Sequence, residues 1–218
     1  MDRGLRHPML DMRTLAQSAV ATGWAVGHGE MEEVLEAASA ADWSSVPIRR
    51  GDATVAELRP LPADAAPPRS LSAMVGTGQQ PLHTDGAHLR AMPDIVVLAA
   101  AVPSQTPTLL YTPSTPTHAQ SHGIFRASFG RRAFYATAVD PEGRWRYDPG
   151  CMTPADTLAL QATDEINDFA TRAIVHEWSE PNLLLVLANR RTLHARAAAV
   201  DASTRVIRRV AYITGLDS

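Results

Sequence analysis

The sharpest chemical signal in the chain is Pro81-Leu82-His83-Thr84-Asp85-Gly86, an imidazole and a carboxylate two positions apart. On a strand, alternation places His83 and Asp85 on one face, as two ligands for a borderline divalent metal. His194, in Asn189-Arg190-Arg191-Thr192-Leu193-His194-Ala195-Arg196, offers a third. Two imidazoles and one carboxylate on one face of an octahedron leave three positions open, which suits oxygen-activating iron(II). The same trio can also hold zinc and activate water.

An oxygen-activating site that uses 2-oxoglutarate needs a cation deep in an apolar wall to grip the distal carboxylate. Arginine suits this, because its planar fork makes two hydrogen bonds and keeps its charge when buried. The expected last strand, 205–213, carries Arg205, Arg208 and Arg209. Arg209 shares a face with Ala211 and Ile213, Arg208 the opposite face with Val210 and Tyr212, and both stay open as the anchor. Thr108 can add a hydroxyl. Arg196 and Arg205 either brace the cosubstrate or form surface salt bridges. Strand alternation sets His88 opposite the two proximal ligands, His118 and His122 read as solvated loop residues, and His176 as structural. Cys151 has no sequence-linked histidine and reads as a small buried hydrophobe.

The elements that must position these groups follow from periodicity. Residues 10–22 and 30–43 read as amphipathic helices, with a short strand at 23–27 between them. Residues 59–68 hold four prolines and read as a surface loop or linker. Strands are expected at 95–98, 108–111, 134–138, 173–178, 183–187 and 205–213. Thr153-Pro154 reads as the start of a helix running to about residue 170. Helices first, then short strands with one crossover helix, give an α+β class built on a sandwich or barrel.

Composition narrows the chemistry further. Of 218 residues, 45% are hydrophobic and 20% charged, the balance of a globular domain rather than a disordered segment. A net charge of −3 argues against nucleic-acid or polybasic membrane binding. All 20 basic side chains are arginine, which excludes lysine Schiff bases and the lysine-dependent phosphate loop. One cysteine excludes an internal disulfide and any multi-cysteine metal site. The apolar run 95–102 spans 8 residues, against the roughly 20 that a membrane helix needs. Residues 1–7 lack the apolar core of a signal peptide. The expectation is a cytoplasmic protein with a small-molecule partner, anionic or zwitterionic, with no nucleic acid or membrane, and compatible with a homo-oligomer.

Taken in order, these motifs resemble the taurine dioxygenase-like and clavaminate synthase-like Fe(II)/2-oxoglutarate oxygenases. His83-Thr84-Asp85 is similar to that family's His-Thr-Asp/Glu motif, and the stretch ending in Arg196 to its Asn-Arg-Arg-x-Leu-His-Gly-Arg consensus. Arg209, fifteen residues past His194, matches the family's cosubstrate arginine, and Thr108 its threonine before an apolar strand. The resemblance covers roughly residues 71–213. It implies a double-stranded β-helix, a distorted jelly roll, with flanking N-terminal helices and one crossover helix. It also implies a single domain over 1–218, with helices and Pro-rich loop in 1–69 and the jelly-roll core in 70–218. His83, Asp85 and His194 become the iron ligands and catalytic centre, and Thr108, Arg209 and Arg205 the 2-oxoglutarate site. Fe(II), 2-oxoglutarate and O2 are the implied cofactor and cosubstrates.

The implied reaction hydroxylates, desaturates or cyclises a small molecule while 2-oxoglutarate becomes succinate and carbon dioxide. Halogenating relatives carry a small apolar residue where Asp85 stands, so the carboxylate points to hydroxylation or its variants. Three departures matter. Gln105-Thr106-Pro107 replaces a glycine pair, Ala195 replaces a glycine, and only 111 residues separate the two histidines, which leaves no room for a large lid. The alternatives are a zinc hydrolase on the same His/Asp/His site and a non-catalytic barrel with a relict metal site. The sequence singles out no substrate-binding residue.

Overall fold

In the computed structural model, which describes residues 10–49, 51–68 and 70–216, two continuous apolar runs lie side by side. The chain start, 1–7, lies outside these residues. β4 (Ile95–Ala100) and β10 (Leu183–Ala188) pair antiparallel, and every residue of both is buried. The runs do not alternate because both faces are covered. Ile95, Val97 and Ala99 pack with residues of α1 (Met12–Thr22) and α2 (Met31–Ala40), whereas Val96, Leu98 and Ala100 face a second sheet.

β1 (Trp24–His28) joins β10, and β12 (Ile207–Ile213) joins β4. Two short strands, β2 (Ser44–Ser45) and β3 (Ala56–Leu58), share the outer edge of β12 and complete a six-stranded antiparallel sheet. The second sheet has three strands, β11 (Leu193–Arg196), β5 (Ser104–Tyr111) and β9 (Ile174–Trp178), with β5 central. Leu110 and Trp178 from this sheet meet Val96, Leu98, Leu185 and Leu187 from the first, so the two pack face to face. A third sheet is formed by β6 (Phe125–Phe129) between β7 (Arg132–Ala136) and β8 (Met152–Pro154). α5 (Thr157–Asp168) shares a core with Phe125, Ala127, Leu193 and Ala195. The class is therefore mixed α/β with antiparallel sheets.

Three local expectations give way. The helix expected at Thr153 begins at Thr157, because Asp156 is the residue whose carboxylate accepts from Ala159 N–H, at 2.7 Å. Thr153 instead pairs with Arg126 in a strand. β6 was not expected, since its inward residues, Phe125 and Ala127, flank an exposed Arg126 and make no apolar run. His118 and His122 form the ends of α4 (His118–His122), capped by Thr117 and Gln120, rather than lying in a loop. Their rings stack at 4.2 Å between centroids, each exposed. Among the described residues, no helix is long and apolar enough to cross a membrane.

Candidate metal centre

The backbone brings the two histidines together before their side chains meet. His83 N–H donates to His194 O at 3.0 Å and His194 N–H to His83 O at 2.9 Å, an isolated antiparallel bridge. This bridge replaces the strand expected around His83. Just past Asp85 the chain turns, with Gly86 at φ +72°, a conformation that favours glycine. A Cβ there would approach Pro93 Cδ to 3.0 Å. Asn189, wholly buried, stitches the halves: its Oδ1 accepts from Asp85 N–H at 2.8 Å. Its Nδ2 donates to Asp85 O and Pro93 O, both at 2.9 Å. Sequence reading quoted Asn189 without giving it a role. The signal was an amide directly after a fully apolar run, since such a group is buried only with its bonds satisfied.

His83, Asp85 and His194 are all buried, and their ligand atoms lie within 4.8 Å of one another. His83 Nδ1 lies 3.0 Å from Pro81 O, so the ring N–H donates there and Nε2 is left with its lone pair. His194 Nε2 is 3.8 Å from Asp85 Oδ2. Arg209 Nη1 donates to Asp85 Oδ1 at 2.9 Å. Asp85 Oδ2 is buried with no hydrogen-bond partner among the described residues. Burial alone would raise the Asp85 carboxyl, but Arg209 and then the two imidazoles outweigh it and hold it below the ordinary carboxylate range. Burial first, and the adjacent His83 ring second, push His194 down to about 3 against the pull of Asp85, so its imidazole is neutral. An orphaned anionic oxygen beside two buried imidazoles fits a divalent cation.

The three residues open onto a cavity of about 490 Å³, which Thr108, Arg205 and Arg209 also line. Strand alternation sorts the terminal arginines. Arg208 points to the helix side and pairs with Glu32 at 3.1 Å, away from the cavity. Arg209 faces inward, where its second nitrogen lies 3.8 Å from Asp52. Arg205, expected within β12, sits two residues before it in a turn and is 6% exposed. Its one side-chain hydrogen bond among the described residues runs from Nε to Thr106 O at 3.4 Å, and it makes no ion pair among them. Burial, reinforced by Arg196, lowers it to about 10, and it remains a cation. Thr108 Oγ1 accepts from Trp178 Nε1–H at 3.1 Å, which leaves its own proton to donate.

Arg196 lines the cavity but makes no surface salt bridge among the described residues. Its guanidinium donates to four backbone carbonyls, those of Gly76, Thr77, Gly78 and Ala197, at 2.8 to 3.0 Å. The Pro-rich segment is not merely a surface loop, since Leu61 and Pro67, with Ile48 and Leu58 before them, form one wall of the cavity. His88 lines the cavity too, because the turn at Gly86 breaks the alternation that would have sent it away. Its ring stacks on Phe129 at 4.5 Å, and Nε2 is buried without a partner among the described residues. Burial pushes the Cys151 thiol up, which makes it a poor nucleophile. His176 lies between Trp24 and Trp178, as a structural residue.

No family model matches the sequence, and no curated protein matches it. Solved structures do match the fold. An asparagine oxygenase in complex with Fe(II), 2S,3S-3-hydroxyasparagine and succinate aligns with a TM-score of 0.71 at 17% identity, over 94% of this chain and 78% of that one. The chain has the fold of the non-haem iron oxygenases. A second such oxygenase, OrfP, in complex with Fe and alpha-ketoglutaric acid, aligns with a TM-score of 0.70 at 16% identity, over 94% of this chain and 80% of that one. OrfP with Fe, succinate and (3S)-hydroxy-L-Arg gives 0.68 at 16%, over 94% and 79%. In this fold, the orphaned carboxylate oxygen and the two imidazoles line one cavity together with Arg205 and Arg209.

Proposed function

We propose that the chain is an Fe(II)/2-oxoglutarate-dependent oxygenase that hydroxylates a small zwitterionic molecule of amino-acid type. The observation that carries this reading is the sharing of one cavity by a His-Asp-His trio and a buried arginine that makes no ion pair among the described residues. A hydrolase needs the trio but has no use for an unpaired guanidinium behind it. The neighbours' contents, iron with 2-oxoglutarate or succinate and hydroxylated amino acids, support the same choice. In this reading residues 1–218 form one oxygenase domain, and the face-to-face sheets make up a double-stranded β-helix.

Each side chain then has a task. His83 through Nε2, Asp85 through Oδ2 and His194 would hold the iron, with Asp85 Oδ1 already taken by Arg209. Arg205 and Thr108 hold the distal carboxylate of 2-oxoglutarate, the guanidinium through its fork and the hydroxyl through its free proton. Arg209, already bonded to Asp85, is left beside Asp52 on the substrate side. Bound iron supplies the redox chemistry that couples O2 and 2-oxoglutarate to C–H oxidation, one oxygen atom going to substrate and one to succinate, with release of CO2. The protein excludes water with the wall formed by Ile48, Leu58, Leu61 and Pro67.

The test is succinate formation from 2-oxoglutarate with Fe(II) and ascorbate, across a panel of free L-amino acids and their derivatives. Iron-dependent succinate, and a product 16 mass units heavier than one panel member as hydroxylation requires, is the expected result. If no 2-oxoglutarate binds in calorimetry and none is turned over, the oxygenase reading fails. Zinc-dependent hydrolysis by the same trio would favour the alternative.

A further inference from the structure

Gln105-Thr106-Pro107, which stands where the resemblance has a glycine pair, is held by a carboxylate from the loop between β11 and β12. Asp201 Oδ2 accepts from Ser104 Oγ at 2.8 Å and from Gln105 N–H at 3.0 Å, and Asp201 Oδ1 accepts from Thr106 Oγ1. Thr106 Oγ1 in turn accepts from Val200 N–H at 3.0 Å. One side chain therefore gathers the first three residues of β5, at the place where its register with β9 shifts, between Ser104 and Thr108.

The same residue begins a tight turn. Asp201 O accepts from Thr204 N–H at 3.0 Å and Arg205 N–H at 2.9 Å, and Arg205 Nε returns to Thr106 O at 3.4 Å. The contacts close a ring that runs from Asp201 through Thr106 and Arg205 back to Asp201. Two residues beyond Thr106 on β5 lies Thr108. A guanidinium recognises a carboxylate bidentately only when its plane is fixed, and the Arg205 side chain has no other hydrogen bond among the described residues to fix it.

We propose that Asp201 is a positioning residue for the distal carboxylate of 2-oxoglutarate. By gathering Ser104 and Thr106 it sets where the Arg205 fork stands relative to the Thr108 hydroxyl. Its own oxygens are taken up by β5, so it acts through Arg205. This inference rests on the oxygenase reading, and in particular on Arg205 as the carboxylate partner.

The experiment compares calorimetric binding of 2-oxoglutarate with that of 2-oxobutyrate, which lacks the distal carboxylate, to the full chain loaded with Mn(II). The ratio of the two affinities reports on the carboxylate site alone, and a merely structural defect lowers both affinities together. Wild type is expected to prefer 2-oxoglutarate roughly 100-fold, as two charge-assisted bonds imply. Asp201→Asn and Thr106→Val are expected to cut that ratio about tenfold, while Thr106→Ser, which keeps the hydroxyl, restores it to within about twofold. Ser104→Ala removes one donor to the same carboxylate and, expected to cut the ratio about threefold, serves if Asp201→Asn fails to fold. A full wild-type ratio in Asp201→Asn, Thr106→Val and Ser104→Ala, with Arg205→Met having lost it, overturns the role of Asp201. An Arg205→Met variant that keeps its preference overturns Arg205 as the carboxylate partner and with it the role of Asp201, whereas a wild-type ratio near one overturns the oxygenase reading beneath both.

Discussion

Two buried arginines, nine residues apart, bracket the loop between β11 and β12 and live in opposite states. Arg196 is 7% exposed and Arg205 6%, so burial does not distinguish them. Arg196 is well satisfied: four carbonyls of its own chain accept from Nη1 and Nη2 and tie the Gly76–Gly78 loop to β11. Arg205 spends one nitrogen on Thr106 O and turns the rest of its fork toward the cavity. Desolvating a cation is costly unless its donors are met, so a guanidinium left incompletely met by the protein is poised for a partner that arrives from outside. The satisfied arginine ties the fold together, and the incompletely satisfied one is, in the proposed reading, the one that meets the cosubstrate.

That contrast can be broken by substitution. Arg205→Met is expected to lower 2-oxoglutarate affinity by about 100-fold, read by calorimetry on Mn(II)-loaded protein, while the melting temperature holds or rises because an uncompensated buried charge is removed. Arg196→Met is expected to do the reverse. It should cost about 2–4 kcal/mol in urea unfolding, since several carbonyls lose their donors, with the affinity changed less than about threefold. Equal loss of affinity in both variants would erase the distinction. Asp201 sharpens the contrast through pH. Burial acts to raise its carboxyl, but the hydroxyls of Thr106 and Ser104 and the amide of Gln105 outweigh this and hold it below the usual range. Its stabilising contribution is complete above the unfolded value of roughly 3.9 and is lost as pH falls through the lower folded value. The stability gap between wild type and Asp201→Asn, measured by urea midpoints, should therefore persist at pH 6 and narrow at pH 3. The smallest effect belongs to Arg208. Its pairing with Glu32 is exposed, and Arg208→Ala should change stability by less than about 0.5 kcal/mol and leave cosubstrate affinity unchanged.

The candidate site was legible in the sequence where residue type alone restricts the chemistry. His83, Asp85 and His194 were chosen because imidazole and carboxylate are metal donors, and they do converge. Strand alternation put Arg208 and Arg209 on opposite faces of β12, as they are, but which face is inward shows only in the pairing of Arg208 with Glu32 and of Arg209 with Asp85. Alternation failed at His88 because Gly86 turns the chain, and a period of two carries no information past a turn. The start of α5 was misread because Thr153-Pro154 and Asp156 both look like caps, and only the pairing of Thr153 with Arg126 decides between them. The carbonyl clamp on Arg196 was not legible at all. Its partners are backbone atoms, which every residue carries, brought near by a fold that puts residues 76–78 beside 196.

Part of the cavity lining comes from Ile48, Leu58, Leu61 and Pro67, upstream in the chain of every metal-binding candidate, and this stretch meets the strand that carries Arg209 through the short pairing of β3 with β12 and through Asp52. Inheritance can therefore treat entrance and engine as separate parts. A chimaera that imports a relative's equivalent of residues 51–68 but keeps Asp52 beside Arg209 would reshape what the cavity admits while His83, Asp85 and His194 stay in place, so that one contiguous stretch of gene could tune the guest.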